Sequence, residues 1–148
     1  LGTHDTRRIR TELNDNRLLR LAVVMLMSLP GVPCIYYGDE AGLYGERDPY
    51  NRATYPWGNE DETVMAIYEE AITLRQSAQA FTGGEFFPFF QGEVFGYIRV
   101  DEESLHLLAF NPGEGPQPFS LNHPVLERKE PITATISAGD FVHLNFVR

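Results

Sequence analysis

The sequence is poor in cysteine, with one, Cys34, in 148 residues. No internal disulfide can form, and a single thiol does not make a zinc site. Cys34 lies in the apolar run Val32–Tyr37, which predicts a buried thiol. Basic residues are scarce as well, 12 Lys and Arg against 21 Asp and Glu, for a formal net charge of −9. That balance argues against nucleic acid as a partner, because phosphate binding needs a basic face. It suits a neutral substrate such as a sugar. The longest apolar run, Leu21 to Met27, falls far short of the roughly 20 residues that span a bilayer, so no membrane partner is expected. No signal peptide is visible, and the compartment, cytoplasmic or secreted, is left open. Internal repeats and low-complexity segments are absent.

A hydrophobic content of 43% and an aromatic content of 12% can build a real core, in one ordinary domain or two small ones. Residues 1–13 are polar. Asn14, Asp15 and Asn16 are helix-start residues, and Arg17 to Leu29 reads as a helix that is almost wholly apolar after Arg20. Such a helix requires burial on most sides. Pro30-Gly31 stops it. Val32 to Tyr37 then predicts a short strand closed by Gly38, and its unbroken apolarity fits a parallel sheet covered on both faces. Residues 38–60 form a long loop, of the kind that is usually functional or disordered. Asn59 with Glu62 is a capping box, and Val64, Ile67, Ala71, Leu74 and Ala78 form one apolar stripe on the helix it opens.

Near Thr82-Gly83-Gly84 the period changes to alternation. Glu85–Phe90, Val94–Val100, Ser104–Asn111, Pro131–Ile136 and Phe141–Phe146 read as strands, and Gly113–Pro118 carries turn chemistry. Antiparallel strands in series predict a small β-sandwich. The boundary is expected at residues 80–84, giving one domain over 1–82 and a second over 83–148.

Three motifs carry a resemblance. Leu1-Gly2-Thr3-His4-Asp5-Thr6 resembles the late Asn/Ser-His-Asp motif of the α-amylase superfamily of glycoside hydrolases. Pro30 to Glu40 resembles the eighth barrel strand of that family and the loop after it. Asp48-Pro49-Tyr50-Asn51-Arg52, followed by Tyr55-Pro56-Trp57, is similar to a loop of the neopullulanase, cyclomaltodextrinase and amylopullulanase branches. The clear resemblance covers about residues 1–80. It implies α/β plus β architecture: the C-terminal end of a (β/α)₈ TIM barrel, its last one to two βα units, followed by an antiparallel β-sandwich. Barrels of this kind carry their catalytic groups on loops at the strands' C-terminal ends.

The resemblance also implies roles. Retaining glycoside hydrolysis needs two carboxyl groups about 5 Å apart, as nucleophile and general acid. A third carboxylate that holds the distorted sugar ring lowers the barrier by differential binding. By resemblance Asp5 is that transition-state stabiliser and His4 binds a hydroxyl of the same sugar. Asp48 and Arg52 match positions that bind a sugar further toward the non-reducing side. Asp39 and Glu40 become structural, ion-paired beneath the barrel rim. Trp57 and Tyr55 are expected to pin the loop rather than stack on a sugar. The pattern departs from the family at Thr3, where Asn or Ser is usual, and at Ala53 and Thr54, where Arg and Pro are common. No segment matches the nucleophile or the general acid.

The implied parent is an α-glucan hydrolase that cleaves α-1,4 bonds, with α-1,6 as a further option, in maltodextrin, starch, pullulan or cyclodextrin. The chain itself is expected to be an inactive C-terminal portion that self-associates. It is expected to need no cofactor or metal, although the parent has room for calcium. An alternative is a non-catalytic carbohydrate-binding or structural β-sandwich module on the β-rich half; Phe87, Phe89, Phe90, Phe95 and Tyr97 motivate the binding form, although their alternation favours packing. A third reading makes His4-Asp5 half of a metal phosphohydrolase site, but residues 17–29 offer no further ligand. His106, His123 and His143 are expected to be solvated or locally hydrogen-bonded.

Overall fold

A computed structural model describes residues 1–148. The chain divides into two compact units, Leu1–Ser77 and Ala78–Arg148.

The first unit holds three helices: α1 (Ile9–Glu12), α2 (Asn16–Ser28) and α3 (Glu62–Gln76). Asp15 starts α2, its carboxylate accepting from the Arg17 N–H at 2.8 Å. The hydrogen bond from the Arg17 side chain holds that carboxyl down to about 2. Leu19, Val23, Val24 and Met27 of α2 are buried, as are Val64, Ile67, Tyr68 and Ala71 of α3, and the two helices pack on each other. Burial of each large aliphatic side chain contributes about 1.5–3 kcal/mol as an upper estimate. The Arg20 guanidinium grips Glu70 through two bonds, at 2.8 and 2.6 Å. Arg75 of α3 closes the C-terminus of α2 by donating to the carbonyls of Met27 and Gly31, each at 2.7 Å. A cation there satisfies orphan carbonyls and complements the helix dipole.

Two local expectations are corrected. Asn59 does not cap α3. Its N–H is bound by the Pro56 carbonyl in a turn, and Asp61 caps instead, accepting from Thr63 and Val64 N–H at 3.0 and 3.1 Å. Residues 32–37 form no strand, because no other strand of this chain lies beside them to complete a ladder, and Tyr37 already belongs to the following turn. Pro33, Ile35 and Tyr36 are half-buried, whereas Val32 is 96% exposed and Cys34 is exposed rather than buried.

The long loop is ordered by its own turns. Gly38 has φ +81°, and a Cβ there would strike the Leu43 side chain. Leu43 N–H donates to the Gly38 carbonyl at 2.9 Å, and a single 3₁₀ turn follows at Tyr50–Arg52.

The second unit opens with α4 (Ala80–Gly83), which packs on β2 (Val94–Val100) and β3 (Ser104–Asn111). With β1 (Glu85–Gln91) and β6 (Asp140–Val147), these strands make an antiparallel sheet of order β1-β2-β3-β6. A second sheet pairs β4 (Gln117–Leu121) with β5 (Ile132–Ile136). Val94, Ile98, Leu105, Leu107 and Ala109 of the larger sheet share a core with Phe119, Ile132 and Ile136 of the smaller one, which makes a β-sandwich. Buried Asn111 ties the two sheets, its amide donating to the carbonyls of Gly115 and Ile136 at 2.8 and 3.0 Å. The sequence reading missed β4, whose Pro118 and neighbouring glycines read as a turn. Pro is tolerated there because β4 pairs on one side only.

Candidate active site

The structure brings the four expected site residues into one cluster. His4 and Asp5 sit in a turn at residues 3–6, closed by the Thr6 N–H donating to the Thr3 carbonyl at 3.3 Å. The Thr3 hydroxyl accepts from the Asp5 N–H at 3.2 Å, so Thr3 supplies a side-chain oxygen to the turn, as Asn or Ser would. Asp48 precedes the Tyr50–Arg52 turn and Arg52 ends it, and their i,i+4 spacing brings carboxylate to guanidinium at 2.9 Å. Arg52 Nη2 also reaches Asp5 Oδ1 at 3.9 Å, and His4 Nε2 lies 3.2 Å from Asp5 Oδ2. The order is therefore His4, Asp5, Arg52, Asp48. Asp5 does not pair with the neighbouring arginines: Arg7 turns to Glu46 at 2.7 Å, and Arg8 is buried with Asp39.

The cluster is open, the Asp5 side chain being 73% exposed. Exposed ion pairs contribute only about 0–1 kcal/mol, so stability does not account for it. Alternating acceptors and donors suit a polyhydroxylated ligand, since carboxylates accept from hydroxyls while guanidinium donates to them.

Sequence reasoning missed what lies beneath. Asn51 is buried, and its amide donates to the carbonyls of His4 and Thr6 at 2.8 and 2.7 Å. Arg8 is buried too. Its Nε donates to the Asn51 carbonyl at 2.8 Å, and Nη1 bonds the Tyr37 carbonyl and the Asp39 carboxylate. Its guanidinium faces the rings of Tyr36 and Tyr37, 4.2 and 4.6 Å from their centroids. Burial pushes the Asp39 carboxyl up, against the opposing pull of Arg8. The ion pair expected for Asp39 is thus present. The signal available was the position of Asn51 between Asp48 and Arg52, and the second arginine after His4-Asp5.

Trp57 corrects another expectation. At 81% exposed it does not pin the loop; only its contact with the Tyr55 ring, at 4.5 Å between centroids, is aromatic. In the second unit the aromatic residues are largely packed, as their alternation leads one to expect. Phe87 and Phe89 lie against the inter-sheet core, Tyr97 meets Phe86 and Phe110, and Phe95 stacks on Phe110. Phe90 alone among the five is exposed. His106 and His143 are hydrogen-bonded to each other at 2.9 Å, and burial pushes both imidazoles down. No group of three or more His, Cys, Asp or Glu is placed to hold a metal ion, and no helix is long and apolar enough to cross a membrane.

The catalytic-domain model of the α-amylase family matches residues 1–81. The chain is 35% identical over 116 residues to an amylopullulanase of Thermoanaerobacter thermohydrosulfuricus, covering 67% of this chain and 8% of that protein. It is 37% identical over 118 residues to a cyclomaltodextrinase of a Bacillus species, covering 75% of this chain and 21% of that protein. The crystal structure of a debranching enzyme from Nostoc punctiforme superposes with a TM-score of 0.90 at 25% identity, over 99% of this chain and 34% of that one. The chain belongs to the α-amylase family of glycoside hydrolases. Its architecture is the end of a (β/α)₈ barrel followed by an antiparallel β-sandwich. It spans a small part of the length of its curated relatives.

Proposed function

We propose that this chain is the C-terminal portion of a retaining α-glucan hydrolase acting on α-1,4 and, as a second specificity, α-1,6 glucosidic bonds. In this reading Asp5 stabilises the transition state. His4 binds a hydroxyl of the same sugar, and Asp48 and Arg52 bind the next sugar toward the non-reducing side. The observation that carries it is the convergence of His4-Asp5 and Asp48/Arg52, from separate segments, on one exposed hydrogen-bonding row.

The chemistry divides between this chain and the rest of such an enzyme. A nucleophile and a general acid about 5 Å apart break and remake the glycosidic bond. Asp39, the buried carboxylate nearest the cluster in sequence, is engaged by Arg8 and unsuited to either part. Asp5 instead grips ring hydroxyls more tightly as the ring flattens, which is binding spent on the transition state. The 148-residue chain alone therefore releases no reducing sugar from maltotriose. Steady release, abolished by Asp5→Ala, overturns that part of the reading. Calorimetric titration with maltohexaose tests the substrate class: saturable binding lost in Asp5→Ala and Arg52→Ala supports it, and equal binding in those variants contradicts it.

A further inference from the structure

We propose that Arg8 is a positioning residue for the sugar-binding cluster: through Asn51 it sets the spacing between the turn carrying Asp5 and the turn carrying Arg52. The inference rests on the reading above, and concerns how that site is held in register.

Asp5 and Arg52 approach only to 3.9 Å, on exposed side chains, too weakly to fix two loops against each other. The fixing is done below. The Asn51 amide spends both N–H groups on carbonyls of the first turn, those of His4 and Thr6. Asn51 immediately precedes Arg52, so one peptide unit joins the two halves of the site. The carbonyl of Asn51 accepts in turn from Arg8 Nε at 2.8 Å. Arg8 lies three residues after Asp5, so its own backbone belongs to the first segment. Its N–H donates to the Gly45 carbonyl at 2.9 Å, pinning it to the loop that leads to Asp48. Nη1 reaches back to the Tyr37 carbonyl and Asp39. Gly2 closes against the same carboxylate, where a Cβ would overlap Asp39 Oδ2. Through its guanidinium and its own N–H, Arg8 thus ties its segment to Tyr37, Asp39, Gly45 and Asn51.

A merely structural part does not explain this choice of residue. A buried ion pair stabilises little relative to well-packed apolar side chains of the same volume, because both charges are desolvated. Here desolvation is visible: the Asp39 side chain is 2% exposed, and Arg8 Nη2 and Asn51 Oδ1 are buried without a hydrogen-bond partner. What guanidinium provides and an apolar side chain does not is direction, a planar fork whose donors fix several acceptors at set angles. Lysine carries the charge but lacks the fork. It can pair with Asp39 and cannot also reach Asn51 in the same geometry.

The test compares Arg8→Lys and Asn51→Ala with Asp5→Ala, Arg52→Ala and a core control, Val64→Ala, all in the full chain. Two readouts are taken: amide hydrogen exchange, which needs no ligand, and affinity for maltohexaose. Expected for both Arg8→Lys and Asn51→Ala is at least tenfold faster exchange at residues 3–6 and 50–52, with α2 and α3 unchanged, and at least fivefold weaker binding. Val64→Ala is expected to speed exchange in α2 and α3 and leave affinity unaltered. The inference is overturned if Arg8→Lys and Asn51→Ala leave exchange at residues 3–6 and 50–52 as in the parent chain. It is overturned equally if that exchange rises while affinity stays at the parent value and Asp5→Ala weakens it. Unchanged affinity in Asp5→Ala and Arg52→Ala instead removes the sugar-binding reading itself, and with it the inference.

Discussion

His106 and His143 show how placement decides the behaviour of a residue that composition leaves open. They stand diagonally on neighbouring strands, His106 opposite Asn145 and His143 opposite Leu108, and are in contact with each other, with Ser104 Oγ 3.2 Å from His106 Nε2. Burial depresses both imidazoles, and the nearby Asp101 charge only partly offsets it for His106. Folding therefore favours their neutral form, while the unfolded chain takes up protons below about pH 6.5. Their contribution is therefore complete above that value and is lost as pH falls, with a slope of at most about 1.4 kcal/mol per unit for each imidazole. The urea midpoint of the second unit, followed through β3 resonances, is expected to drop between pH 7.5 and 5.5, and His143→Gln is expected to flatten the drop. An identical pH dependence in the variant contradicts this. Legibility varied residue by residue. His4, Asp5, Asp48 and Arg52 stand in short motifs whose spacing survives in one dimension. Asn51 and Arg8 stand beside those motifs, but their part is played through backbone carbonyls far along the chain, and position alone does not reveal such bonds.

At the scale of elements, helices and hairpins were readable because each carries its own period and its own partner. β2 and β3 pair along their length through a turn at Asp101, whose carboxylate accepts from Glu103 and Ser104 N–H. The failures have local causes. Residues 32–37 have the composition of a strand, but a strand is defined by its neighbour, and none lies in this chain. β4 was hidden by Pro118, which is accepted by a strand paired on one side only. The start of α3 was misplaced by two residues because Asn59 and Asp61 are both competent caps. Urea unfolding of the first unit separates them: Asp61→Ala is expected to cost about 1 kcal/mol, and Asn59→Ala only a few tenths. The reverse order contradicts the cap assignment.

For the molecule as a whole, the first unit exposes what a barrel covers. Val32 and Cys34 stand exposed on a segment that pairs with no strand, an invitation to association through its backbone. The chain is expected to form a dimer or larger species, and a light-scattering mass near the 16.8 kDa of one chain contradicts this. The two units differ in kind. The sandwich pairs strands and shares one core between its sheets, whereas the first unit orders two loops around Arg8 and presents a polar row above them. The central claim is that this row meets an α-glucan, and a map of amide chemical shifts on titration with maltohexaose tests it most directly. Saturable shifts confined to residues 3–6 and 48–52, absent in Arg52→Ala, are the result expected. Shifts confined to residues 85–147, or none at saturating sugar, would contradict it.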